Sequence, residues 1–439
     1  MLALLRQDGP FERRNSRLFV LFTTFYNARA YYPVLAILFK DLGLSLDQFV
    51  MLNVVWAASI LLCEVPSGAL ADTLGRKRLL VFASAVMVVE LGVLLAAPKG
   101  GGAWLFGFCV LNRMLSGVSE AAVSGADEAI TYDDLPEDER ESAWDQVLVT
   151  AMRWRSVGFL ISMTLGGLLY DPTWWNRMVP DVLELSRDVA HRLPVAVVFM
   201  QGLVCLLIAL RFEEKRPPKK DQHPIEQCIY AFKITMRTAK KAVTTRSIAM
   251  VLLGGLIIDA VTRNMATLGS AYYRLIQFPD WVFGFIGSLI AVGNWFVPVI
   301  AAKVNQRLSP VSSLLVGGVV TIGALFMLVP AWKWVGVLPA MMLMMMMGYV
   351  GFTISRFLHK VSESNQRATL LSVKGMIFNL SYGTFSLAFS LLLARLEENG
   401  GGGFQRALLW QACFFVGLVV LYAVVTRLKK SRLDPVVPE

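Results

Sequence analysis

The chain has 439 residues, of which 56% are hydrophobic and only 17% charged, with a mean hydropathy of +0.56. That balance, carried in long uninterrupted apolar runs, excludes an ordinary soluble globular protein and points to a polytopic helical membrane protein. The net charge of +10 does not argue for nucleic acid, because the bases lie beside the apolar runs, where they suit membrane insertion and anionic headgroups.

The start, MLALLRQDGPFERRNSR, has only a short apolar core before its charges, too little for a cleavable signal peptide. Twelve apolar spans follow, at 18–39, 48–70, 78–97, 104–126, 146–170, 193–211, 247–273, 281–304, 311–330, 335–356, 369–396 and 406–427. An even number puts both termini on one side. Lys and Arg favour the N-terminal segment, the even-numbered connections and the C-terminal tail by roughly three to one, which makes that side cytoplasmic. In a bacterium the site is then the inner membrane. The acidic loop 133–145 lies on the same side and does not disturb this, since acids count little in orientation. Of five cysteines, Cys63, Cys109, Cys205 and Cys413 fall in apolar runs and Cys228 in a basic loop, without metal-site spacing.

Residues 212–246 are the longest polar connection and divide the spans six plus six. The expected domains are an N-terminal half 1–211, a cytoplasmic linker 212–246 and a C-terminal half 247–439. Within the linker, Ile225, Cys228, Ile229, Phe232, Met236 and Ala239 recur at helical spacing, opposite Lys233, Arg237, Lys240 and Lys241. This predicts an amphipathic helix at the membrane surface. A solvated basic linker is the alternative.

The short loop between spans 2 and 3 reads Gly68-Ala-Leu-Ala-Asp72-Thr-Leu-Gly75-Arg76-Lys77. It resembles the signature G-x-L-A-D-R-x-G-R-K of the major facilitator superfamily, with Thr73 departing from the usual base. A faded counterpart, Val297-Pro298 to Asn305-Gln-Arg307, ends span 8 where Val65-Pro66 to Asp72 ends span 2. Span 4 carries Arg113 and Gly117, similar to an R-x-x-x-G segment of that superfamily. The G-x-x-x-G-P segment common in drug antiporters is absent, since Gly158 to Gly166 and Gly167 lack the proline. The resemblance implies an all-α membrane protein with twelve transmembrane helices in two pseudo-symmetric six-helix halves. It implies transport by rocking of those halves, a gate built on Gly68, Asp72, Gly75, Arg76 and Lys77, and a cavity lined by helices 1, 4, 7 and 10.

Ionisable groups at bilayer depth are costly, at least about 2.5–3.5 kcal/mol each, so they face water or a partner. Span 1 holds Tyr26, Asn27, Arg29, Tyr31 and Tyr32 before Pro33, where a kink is predicted. These form a substrate-facing wall, or Arg29 pairs with an acid on another helix. Asp259 and Arg263 stand one turn apart in span 7, next to Asn264. They neutralise each other, or Asp259 titrates and couples a proton. Glu90 and Glu120 are further proton carriers. Arg153, Arg155, Arg356 and Lys374 snorkel or close a gate against Asp72, Asp127 or Glu128. By the resemblance, Tyr26, Asn27, Arg29, Arg113, Asp259, Arg263 and Asn264 converge on the cavity, whose excess of bases favours an anionic or zwitterionic solute. The methionine-rich stretch 341–349 lines it or packs the core.

The leading expectation is a proton-coupled secondary transporter of a small solute, acting as a monomer in membrane lipids. The alternatives are an exporter of amphipathic drugs or lipids by proton antiport, and a non-transporting membrane sensor or scaffold. No nucleophile and base cluster, zinc spacing or phosphate loop appears in the sequence, so neither an enzyme, a metal nor a cofactor is expected.

Overall fold

The computed structural model describes residues 8–177, 180–181, 184–214, 224–361, 367–398 and 402–430. Among the described residues nine helical segments, with the interrupted stretch Val282–Arg307 counted as one, are long and apolar enough to cross a membrane. The other three spans are accounted for by their chemistry. Span 1 is broken, span 4 carries Asn112 and Arg113, and span 5 carries Arg153 and Arg155. Large apolar side chains such as Leu62, Leu207, Val319 and Leu338 stand exposed on these helices. On a membrane protein such faces meet lipid rather than water.

The chain divides into two compact units. Unit 1 comprises residues up to Thr235 together with Phe278–Ala291, and unit 2 comprises Met236–Gln277 and the residues from Val292 onward. Unit 1 therefore extends past 211 and takes in the first part of span 8.

In unit 1, span 1 is two helices, α1 (Arg14–Asn27) and α2 (Leu35–Leu42), separated by irregular backbone and a 3-10 turn at Tyr32–Val34. The interruption is earlier and larger than the kink predicted at Pro33. Pro33 cannot donate to the carbonyl of Arg29. That carbonyl instead accepts from the amide of Tyr32 at 3.1 Å, while Asn27 caps the end of α1 by donating its Nδ2 to Thr23 O at 2.7 Å. Helices α3 (Leu46–Leu74), α4 (Arg76–Ala96) and α5 (Gly102–Val123) pack on one another. A left-handed Gly125 ends α5 and starts the short α6 (Ala126–Tyr132). Helix α7 (Arg140–Tyr170) runs beside α1 and the break. Gly166 makes this approach possible, since a Cβ there would overlap the Ala30 carbonyl oxygen. A short α8 (Pro172–Asn176) precedes α9 (Arg187–Arg211), which packs against α4, α1 and α7.

Helix α10 (Pro224–Thr244) occupies the linker. In unit 2, α11 (Arg246–Leu275) is the most enclosed of the apolar helices, with 78% of its most apolar stretch buried. Span 8 is not continuous. Helix α12 (Val282–Gly293), most of which belongs to unit 1, and α13 (Val297–Arg307) of unit 2 are separated by turns at 294–296 that lead into Pro298. Proline inside the first turn of α13 costs no hydrogen bond. Helices α14 (Pro310–Leu328), α15 (Val337–Val361), α16 (Arg367–Glu398) and α17 (Gly403–Lys430) complete the unit, with α15 and α16 packed on α11.

Candidate functional site

The break in span 1 places Arg29 inside unit 1 rather than on a continuous helix face. Arg29 is 4% exposed and its Nη1 lies 3.3 Å from Glu90 Oε1 of α4, which is fully buried. The guanidinium also sits 5.1 Å from the centre of the Tyr26 ring. Tyr26 in turn shares a 2.9 Å hydrogen bond with Ser119 of α5, and Ser119 donates to Ala83 O of α4. Asn112 of α5 donates to the Glu90 backbone carbonyl at 2.9 Å. Three helices are thus tied together around one buried ion pair. Asn27 is not part of this cluster, because its side chain is spent on the end of its own helix.

Arg113 completes the arrangement without completing its bonding. It is 6% exposed and lies 4.8 Å from the Phe39 ring centre. Its Nε and Nη2 have no hydrogen-bond partner among the described residues. Such donors cost free energy when buried and unpaired. Gly117, one turn on, allows a close helix approach, since a Cβ there would lie 2.6 Å from Ser59 Cβ and 2.9 Å from Trp56 O of α3. The R-x-x-x-G spacing therefore joins a cation to a close helix contact. Glu120 shares the helical face of Arg113 two turns further along, yet it is exposed. The other exposed face of α5, with Trp104, Leu111 and Met114, is apolar and lies opposite. Glu120 therefore lies on the face of α5 turned away from this apolar strip.

The signature loop at the end of α3 is held by acids that sequence reasoning missed. Gly75 has φ +101°, and a Cβ there would stand 2.6 Å from Glu214 Oε2. Glu214 Oε1 accepts the Arg76 amide at 2.7 Å, placing an anion at the N-terminus of α4. The Arg76 side chain bonds Asp133 Oδ2 at 2.5 Å and Ala129 O at 2.9 Å. Glu213 is clasped by Asn15, which donates to its carbonyl and accepts its amide, and by Arg14 at 2.7 Å. The adjacent glutamates at the end of span 6, next to a basic linker, were the available signal. Gly68 sits within α3, where a Cβ would meet nothing within 4 Å among the described residues. Lys77 is half-buried, and the side chain of Asp72 lies outside the described residues. Asp127, beyond the spans at the start of α6, is 8% exposed, and burial pushes its carboxyl up to about 7. Its Oδ1 accepts the Glu128 amide at 2.8 Å.

Unit 2 has its own polar cluster on α11. Asp259 Oδ2 and Arg263 Nη2 pair at 2.8 Å, and Arg263 Nη1 donates to Asn379 Oδ1 of α16 at 2.9 Å. The guanidinium lies 5.3 Å from the Tyr382 ring centre, and Tyr382 donates to Thr267. Lys374, earlier on α16, donates to Ser355 of α15 at 3.3 Å. Asn264 is not brought to Asp259 and Arg263. It is buried on another face and donates to Gln411 of α17 at 3.1 Å. The methionines pack: Met344 fills the space a Cβ of Gly269 would need, and Met345 does so at Gly293. Among the described residues no group of His, Cys, Asp and Glu could hold a metal ion.

The sequence matches the description of the Major Facilitator Superfamily over residues 17–386. No curated protein matches in sequence. Solved structures share the fold at low identity. The nucleoside transporter NupG superposes with a TM-score of 0.70 at 12% identity, covering 93% of this chain and 97% of that one. A D-xylose-proton symporter gives 0.61 at 14%, covering 93% and 95%. A bacterial homologue of the human lysosomal transporter Spinster gives 0.66 at 15%, covering 96% and 98%. With the family matched across most of its length and the helical fold shared end to end, the chain belongs to the major facilitator superfamily of multi-pass membrane transporters.

Proposed function

We propose that the protein is a secondary active transporter that moves a small anionic or zwitterionic solute by alternating access, coupled to protons. The observation that carries this reading is Arg113, a buried guanidinium with two unbonded donors and an aromatic backing. A planar fork of N–H groups in a poorly solvated setting is suited to a carboxylate or phosphate. Arg29 is already engaged, because Glu90 opposes it, and Arg263 is opposed by Asp259. Glu90 is the preferred proton carrier, since its charge is what balances two buried guanidiniums; Glu120 and Asp259 are the other candidates. Asp72, with Gly75 and Arg76, belongs to the gate. The chain acts as a monomer with both termini in the cytoplasm, in a bacterium from the inner membrane, and the bases flanking its spans support that orientation.

The test is thermal unfolding of the purified protein against a panel of small carboxylates, zwitterionic amino acids and dipeptides, nucleosides and amphipathic cations at pH 6 and pH 8. A ligand at one hundred times its dissociation constant adds roughly 2.7 kcal/mol to stability. Compounds bearing a carboxylate should stabilise the wild type and lose that effect in Arg113→Gln. Stabilisation by amphipathic cations alone, indifferent to Arg113→Gln, would replace this reading with that of an exporter.

A further inference from the structure

The linker helix α10 presents three separate stripes. Cys228, Thr235 and Ala242 form the first, seven residues apart and turned inward: Thr235 is 8% and Ala242 1% exposed, and Cys228 Sγ reaches Pro66 O at 3.9 Å. Ile229, Phe232, Met236 and Val243 form the second, and they are 50%, 52%, 39% and 62% exposed. Lys233, Arg237, Lys240 and Lys241 form the third, on the outward side, where Tyr230 and Ile234 are also exposed. At 3.6 residues per turn, the apolar stripe lies roughly 90° from the buried stripe, and the basic stripe roughly 90° further round. That order matters. A helix in water would not leave an apolar row of this length uncovered. A helix lying beside a bundle at a membrane surface needs this sequence of faces: protein on one flank, acyl chains beneath, headgroups on the other flank.

The charge selects the kind of headgroup. Lys215, Arg216, Lys219, Lys220, Lys233, Arg237, Lys240 and Lys241 oppose only Asp221 and Glu226 across residues 215–244. Residues 215–223 contribute here by sequence alone. Basic residues beside a bilayer are drawn to anionic lipid rather than to zwitterionic lipid. We infer that α10 is an anionic-lipid binding surface, with Ile229, Phe232, Met236 and Val243 in the acyl boundary and Lys233, Arg237, Lys240 and Lys241 on lipid phosphates. The occupant is the bilayer itself, because an exposed apolar row is followed round the helix by a row of exposed cations, the pairing of acyl chains with anionic headgroups.

The experiment uses the full chain with a photo-crosslinking benzoylphenylalanine at position 232, reconstituted in vesicles of phosphatidylcholine with one-fifth phosphatidylglycerol. After irradiation, mass spectrometry identifies the adducts. Lipid adducts should form, with phosphatidylglycerol over-represented by roughly fivefold or more, the factor expected from about 1 kcal/mol per cation at the surface. Changing the four cations of α10 together to Gln should keep the lipid adducts and abolish the enrichment. The same probe at buried position 235 should yield protein adducts only. Protein adducts at 232, or an enrichment that survives the four substitutions, would overturn the inference. None of the substitutions falls in an apolar span, and a size-exclusion profile matching the wild type shows that the result is not one of misfolding.

Discussion

In unit 1, Arg29 meets its carboxylate on a helix 61 residues further along the chain, whereas in unit 2 Arg263 finds Asp259 one turn away on its own helix. A pair within one helix keeps its geometry wherever that helix goes. A pair between the break in span 1 and α4 holds only while those two segments keep their register, and Arg113 is a second cation acting on the same carboxylate. The unit 2 pair is also buffered, since Arg263 has Asn379 and the face of Tyr382 as well. The two clusters thus differ in how they are held: the one in unit 1 joins segments far apart in sequence, and the one in unit 2 is closed within one helix with neutral groups added from α16.

The strongest way to break this contrast is Glu90→Ala. It leaves Arg29 and Arg113 buried with Glu120 as the one remaining acid near them among the described residues, at a cost of up to about 3–5 kcal/mol. A large fall in unfolding temperature is expected, and the double variant Arg29→Met with Glu90→Met should recover much of it. A loss no greater than that of Asp259→Asn would show that the unit 1 cluster is not the more demanding of the two.

Asp127 sharpens the contrast by separating a titration outside the spans from one within them. Its carboxyl is raised from the ordinary 3.8 to about 7 by burial. The folded chain then holds this proton more tightly than the unfolded chain, so stability is higher below that window and falls as pH rises through it. The effect is at most about 4 kcal/mol. Asp127→Asn should flatten the difference in unfolding temperature between pH 5 and pH 8. If the slope persists in Asp127→Asn and vanishes in Glu90→Gln, the titrating group belongs to the buried cluster instead.

The break that delivers Arg29 can be tested through Gly166. Gly166→Ala forces a methyl into the Ala30 carbonyl and should cost about 1–3 kcal/mol, with lower yield of monodisperse protein. Gly323→Ala in α14 of unit 2, where a Cβ would meet nothing within 4 Å among the described residues, should be neutral or slightly stabilising because alanine is the better helix former. Equal effects at the two glycines would remove the steric argument for the break.

What the sequence makes legible follows the same division between local and distant. The spans, the signature loop, the amphipathic spacing of α10 and the pair Asp259 with Arg263 are all set by neighbours within a few turns. The partner of Arg29 is not readable, because choosing Glu90 requires knowing which helix lies beside the break. Sequence alone puts the break at Pro33, whereas Asn27 ends the helix by bonding its own preceding turn, a choice that depends on α7 covering the next carbonyls. Glu214 at the N-terminus of α4 is hidden for the same reason, since it lies 138 residues beyond Arg76 in the chain.

The smallest expected effect is that of Asp259→Asn, and it decides whether locality is the relevant variable. The amide keeps the volume and one acceptor. Arg263 retains Asn379 and Tyr382, and its side chain is 21% exposed. Solvent and alternative partners both weaken what a single pair contributes, so the loss should be about 1 kcal/mol. Lys374 faces the same region and would also lose a nearby negative charge, so the variant should be paired with Lys374→Met. If Asp259→Asn alone costs little and the addition of Lys374→Met changes nothing further, unit 2 tolerates the loss of its acid because Arg263 is held by neutral groups. A cost approaching that of Glu90→Ala would mean that the carboxylate, and not the amide and the ring, is what keeps Arg263 in place, and the distinction between the two clusters would then rest on Arg113 alone.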